Sequence, residues 1–151
     1  MSLFPPPVPV PTRSHAELPT PFRKPIVTEW ARANKQGQAV DCFLEGPCFD
    51  EQGNLYVVDI PHGRVFRLDP AKSWHLVAEW DGEPNGLALR PDGLLAVADY
   101  RNGLLTLDPA TGRIAPLLAR RNGERFKGLN DLVFAGNGDL YFTDQGQTGL
   151  N

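Results

Sequence analysis

Glu45, Asn85 and Asn130 occupy one equivalent position in a repeated pattern, and Asp131 follows the last of them. A carboxylate and two amide carbonyls are hard oxygen donors, which suit Ca²⁺, Mg²⁺ or Mn²⁺. The competing reading is a turn, since Asn-Gly and Asn-Asp pairs tolerate positive φ. For Asn85-Gly86 taken alone, the turn has the better claim. It weakens for Glu45, which lies between Phe43-Leu44 and Gly46-Pro47. An unpaired carboxylate at the mouth of an apolar strand is costly. Asp59, Asp99 and Asp144 also recur in every unit. They read as residues that hold turns rather than as chemistry.

Other chemistries find no support. Serine occurs at positions 2, 14 and 73, none within G-x-S-x-G. His15, His62 and His75 form no H-E-x-x-H. There is no P-loop and no G-x-G-x-x-G. Cys42 and Cys48 are the two cysteines. On one strand they would stand beyond disulfide reach. They form no zinc pattern and read as partly buried thiols in a reducing compartment.

The elements that must position these residues are themselves repeated. Segments 45–59, 85–99 and 130–144 align, with Gly53, Gly93 and Gly138 in one column and Leu55, Leu95 and Leu140 in another. A period near 40 residues built from short apolar strands is the signature of a β-propeller blade. Strands are expected near 54–59, 64–69, 94–99, 104–108 and 139–144. Trp74–Glu79, Leu87–Leu89, Ile114–Leu118 and Leu132–Phe134 extend the units. Ile60-Pro61-His62-Gly63, Asp69-Pro70 and Asp108-Pro109 punctuate them, and Ala110-Thr111-Gly112 completes a turn. The fold class is all-β, with β-propeller repeats of four antiparallel strands and about two and a half blades. Rotational repetition would bring Glu45, Asn85 and Asn130 onto a ring about a common axis.

Residues 1–25 hold eight of the fifteen prolines. They are expected to form an N-terminal arm, in a composition that favours extended, polyproline-like geometry. The arm is expected to lie on the surface of the protein or of a partner subunit, with an SH3-type ligand as the alternative. Residues 26–151 are then the N-terminal part of the propeller. Within them Ile26–Trp30 fits a strand, and Ala31–Gly37 fits a helical turn ended by glycine.

A net charge of −3 gives no nucleic-acid surface. The basic run from Arg120-Arg121 to Lys127 is broken by Glu124 and reads as a solvated loop. No apolar run approaches the ~18 residues of a membrane span. The N-terminus lacks the charged start and apolar core of a secretory signal, which predicts a cytoplasmic location. Two and a half blades cannot close a ring. The open faces would expose apolar surface and strand edges, so a fragment is expected, with self-association through those faces.

Leu44-Glu45-Gly46-Pro47, Glu83-Pro84-Asn85-Gly86-Leu87-Ala88-Leu89, Gly128-Leu129-Asn130-Asp131-Leu132-Val133 and Leu140-Tyr141-Phe142-Thr143-Asp144 appear in order. Together they resemble the SMP-30/gluconolactonase/LRE-like family, from about Phe43 to Gly146. The resemblance implies a six-bladed propeller with one divalent metal in its channel (Ca, Mn, Mg or Zn) and hydrolysis of sugar lactones or related esters. It makes Glu45 a metal ligand. It makes Asn130 a contact to substrate or to a metal-bound water, with Asp131 beside it as a further catalytic candidate. Asn85 would face the same channel and bind substrate.

The family's pattern also includes parts that this chain lacks. Two more metal ligands, an asparagine and an aspartate that is also the water-activating base, come from later blades. In animal members an arginine two residues before the N-D asparagine contacts substrate. Gly128 stands there in this chain, and Arg125 or Lys127 is the replacement considered. The alternative to a lactonase is a non-catalytic propeller module that binds partners. A paraoxonase-like or strictosidine-synthase-like propeller is a third reading, because architecture alone does not decide function.

Overall fold

The computed structural model describes residues 5–146; the first four residues of the proline-rich segment and the last five of the chain lie outside them. One antiparallel sheet takes β1 (Leu44–Phe49), β2 (Leu55–Asp59), β3 (Arg64–Leu68) and β4 (Trp74–Glu79), in that order. A second repeats it with β5 (Pro84–Leu89), β6 (Leu95–Asp99), β7 (Gly103–Leu107) and β8 (Ile114–Leu118). A small ribbon of β9 (Arg120–Arg121) and β10 (Glu124–Arg125) leads to a third sheet. That sheet holds β11 (Leu129–Phe134) and β12 (Leu140–Asp144). The strands fall where the repeated apolar runs and turn residues place them. Asp69 and Asp108 close the third strand of each full sheet, their N–H groups donating to the carbonyls of Ser73 and Arg113. The all-β propeller architecture read from the repeat is the one observed.

The sheets pack face to face because their middle strands are apolar on both sides. Along β6, Leu95 and Val97 join a core with Tyr56, Val58 and Val65 of the first sheet. The alternate residues Ala96 and Ala98 join Leu129 and Leu132 of the third. Side chains alternate across a strand, so a strand sandwiched between two neighbours must be apolar throughout. All five residues of β6 are buried.

The segment before the sheets differs from its expected form. Glu29–Asn34 forms a short helix, α1, so Glu29 and Trp30 are helical rather than strand. The physical reason is a cap: the Thr28 hydroxyl accepts the Ala31 N–H at 3.1 Å, satisfying a donor that the first helical turn leaves open. Ile26 contributes an isolated bridge to Val40. The glycine-ended helical turn is real but ends earlier, with Gln36 and Gly37 both at positive φ. Ahead of it, Leu18 is buried with Val57 and Phe66, and Phe22 packs beside them on the outer face of the first sheet. No described helix is long and apolar enough to cross a membrane.

Candidate functional site

Each inner strand begins with the same irregularity. Leu44 pairs with Asp59, Pro84 with Asp99 and Leu129 with Asp144; the register shifts directly after Pro84 and Leu129, and in β1 one residue later, after Glu45 has paired with Val58. A bulge takes residues out of the ladder and re-aims their side chains. Asn85 and Asn130 sit within those bulges, and Glu45 is the last paired residue before its own. Asn85-Gly86 is therefore part of a strand and not the turn that its residue types favour.

The recurrent aspartates brace these strand starts. Asp59 Oδ1 accepts the Phe43 N–H at 2.8 Å, and Asp144 accepts the Lys127 N–H at 3.1 Å. Asp99 accepts the Trp80 indole N–H at 2.9 Å and the backbone N–H groups of Arg101 and Asn102. Asp59 and Asp99 are fully buried. Their carboxylates are consumed by structure, as the recurrence suggested.

Glycine lets the bulged strands touch. A Cβ on Gly46 would stand 2.6 Å from the Asn85 carbonyl oxygen, and one on Gly86 would stand 2.9 Å from the Asn130 carbonyl oxygen. The inner strands thus meet backbone to backbone, which draws Glu45, Asn85 and Asn130 together. Asn130 Nδ2 donates to Asn85 Oδ1 at 3.5 Å. Asn85 Nδ2 is held by the Glu83 carbonyl at 2.8 Å, so its own Oδ1 turns toward Asn130.

These three residues line one cleft of about 480 Å³. Asp131 joins them on an adjoining depression of about 250 Å³, with Gly46 and Pro47. Asp131 is exposed, and its Oδ1 accepts the Leu132 N–H at 2.8 Å. Glu45 is exposed as well, so the burial cost assigned to it from sequence does not arise. Arg125 lies on β10 and lines a separate depression with Arg121, Phe126 and Phe142. Among the described residues, no group of three His, Cys, Asp or Glu side chains is arranged to hold a metal ion.

The rest of the lining comes from residues that the repeat did not single out. Trp30, Asn34 and Lys35 of α1 and its end line the cleft with Tyr100 and Arg101. Arg101 contacts Glu29 and pairs with Asp81 at 2.8 Å and Glu83 at 3.1 Å. Burial pushes the Glu83 carboxyl up, and the Arg101 guanidinium opposes that shift. No repeat position marks α1, and Tyr100 and Arg101 fall just past the aligned segments. Composition alone carries no signal for them.

The comparisons agree with this fold. The sequence profile of the SMP-30/Gluconolactonase/LRE-like region matches residues 43–150. A gluconolactonase of Zymomonas mobilis is 30% identical over 117 residues, covering 68% of this chain and 33% of the relative. Lactonase drp35 of Staphylococcus saprophyticus is 32% identical over 143 residues, covering 90% of this chain and 41% of the relative. Among solved structures, a gluconolactonase from Xanthomonas campestris superposes with a TM-score of 0.64 at 28% identity, over 68% of this chain and 35% of that one. The chain thus spans well under half the length of these relatives. With its repeat, its bulged inner strands and its motifs in order, the chain belongs to the SMP-30/gluconolactonase/LRE-like family.

Proposed function

We propose that this chain carries the first blades of a hydrolase of sugar lactones or related esters, and that further blades complete its site. The observation that carries the reading is the meeting of Glu45, Asn85 and Asn130 on one cleft. Lactonase and gluconolactonase relatives support the same substrate class.

One carboxylate and two amide groups are a donor set that fits a hard divalent cation. Glu45 would anchor it, with Asn85 Oδ1 turned to the same cleft by the Glu83 carbonyl. Such an ion supplies Lewis-acid polarisation of a carbonyl and a lowered pKa for water. Asn130 offers an amide donor and acceptor to orient the lactone. Asp131, with Oδ1 held by the Leu132 N–H, keeps a second oxygen to accept a proton from water. Arg125 is proposed as a substrate contact only through a route other than this cleft, since it lines a different depression.

The test is titration calorimetry with Ca²⁺, Mn²⁺, Mg²⁺ and Zn²⁺ beside a glucono-δ-lactone hydrolysis assay, in a protein carrying these blades and the rest of the ring. Glu45→Gln keeps the shape and removes the charge, so metal affinity and hydrolysis should both collapse. Asn130→Ala should lower turnover about a hundredfold while sparing most metal affinity. Undiminished hydrolysis in Glu45→Gln would remove Glu45 from the site.

A further inference from the structure

We propose that Lys35 recognises an anionic substituent on the substrate, so that the lactones or esters accepted here bear a carboxylate or phosphate remote from the reacting carbonyl. The inference rests on the lactone-hydrolase reading of the same cleft and narrows its substrate class.

Lys35 closes α1, its backbone N–H donating to the Ala31 carbonyl at 2.8 Å. It lines the cleft that also holds Glu45, Asn85 and Asn130. Its Nζ stands 4.7 Å from the centre of the Phe43 ring and 5.6 Å from that of Trp30. The two rings pack 4.9 Å apart. Phe43 is anchored in turn by its N–H bond to Asp59. Aromatic faces attract an ammonium but leave its charge uncancelled. The result is a half-buried cation held in place without a counter-ion.

The charge balance of the cleft singles out this residue. Its second cation, Arg101, is surrounded by Glu29, Asp81 and Glu83. Two of the three cleft-lining carboxylates, Glu29 and Glu83, are held at Arg101 and away from Lys35, so negative charge gathers on that side of the cleft. The third, Glu45, is assigned to the metal. Among the described residues no carboxylate forms an ion pair with Lys35. A fixed, uncompensated ammonium on one wall of a partly closed cleft favours an anion there. A neutral sugar lactone would leave the charge facing nothing but water.

A purely structural role would make Lys35 a clamp fastening α1 to Phe43. Two variants separate the cases. Lys35→Met keeps the stem on the rings and removes the charge, whereas Lys35→Arg keeps the charge. The 151-residue protein is titrated calorimetrically in EDTA, in a Glu45→Gln background that removes the carboxylate an absent metal would leave free, with glucarate, 6-phosphogluconate and neutral glucitol. At least one anion should bind more tightly than glucitol. Lys35→Met should weaken that anion about tenfold, Lys35→Arg should retain it, and glucitol should not change. Preference for glucarate assigns a carboxylate, and preference for 6-phosphogluconate assigns a phosphate. Anions binding no better than glucitol, or Lys35→Met weakening all three probes alike, would overturn the proposal. No turnover is required, so a failure of the lactonase reading leaves these titrations intact and separately readable.

Discussion

Asn130 Nδ2 reaches Asn85 Oδ1 across 3.5 Å, joining residues 45 positions apart in sequence. The contact ties two consecutive sheets at their bulged inner strands. It exists because Gly86 lies between them: any Cβ there would meet the Asn130 carbonyl and the Asp131 side chain, both at 2.9 Å. The site and the packing of blade on blade are therefore one arrangement, and perturbing either affects both.

Gly86→Ala should destabilise the protein by about 1–3 kcal/mol, the usual cost of overpacking a close contact. Gly46→Ala should cost more, since its Cβ would meet backbone at 2.6 Å and its φ is +55°. Urea denaturation of both variants measures the loss. Unchanged midpoints would mean that the strands separate freely.

The buried pair Asp59–Arg64 offers a second check. Both side chains are at most 1% exposed, and Arg64 also donates to the Phe22 carbonyl at 2.8 Å. Removing one partner strands a buried charge. Arg64→Met alone should cost about 3–5 kcal/mol in denaturant unfolding. Joint replacement by Asp59→Asn and Arg64→Met should cost less than the sum of the single changes, because no unpaired charge remains.

Acid should loosen the turns between strands. The Ser73 N–H holds the Asp69 carboxyl below its ordinary range, Arg90 does so for Asp92, and the Thr111 hydroxyl for Asp108. A carboxyl lowered in the folded state contributes stability that is present above its unfolded value near 4. That stability is lost as pH falls through the folded value. Glu83 has the opposite sign: its raised carboxyl favours the fold at low pH and ceases to do so as pH rises through its folded value. Denaturation midpoints from pH 7 down to 2.5 should fall, and Asp69→Asn with Asp108→Asn should flatten the decline.

Val133 and Tyr141 face each other across β11 and β12, each 60% exposed. Such an apolar pair on a two-stranded sheet should drive the protein to associate with itself. Sedimentation at increasing concentration should show larger species, reduced by Val133→Glu with Tyr141→Glu. A monomer at all concentrations would refute this.

The strand positions were legible in the sequence because a blade is a local object. Short apolar runs, Asp-Pro turns and the glycine at 53, 93 and 138 act within a few residues, and φ of 79°, 81° and 89° at those glycines gives each the same turn. The equivalence of Glu45, Asn85 and Asn130 was legible for the same reason: a repeat in sequence becomes a rotation in space. What tertiary structure alone decided is everything that crosses between units. The backbone contacts at Gly46 and Gly86, the bulge that turns Asn85-Gly86 from a turn into a strand, and the placement of Arg125 away from the cleft depend on neighbours distant in sequence. So does the rest of the cleft lining. Thr28 capping ended the strand pattern at Ile26–Trp30, and Arg101 and Lys35 gained their places through contacts with Glu29, Asp81, Glu83, Trp30 and Phe43. Local pattern specifies which face a side chain takes; only packing specifies what that face meets.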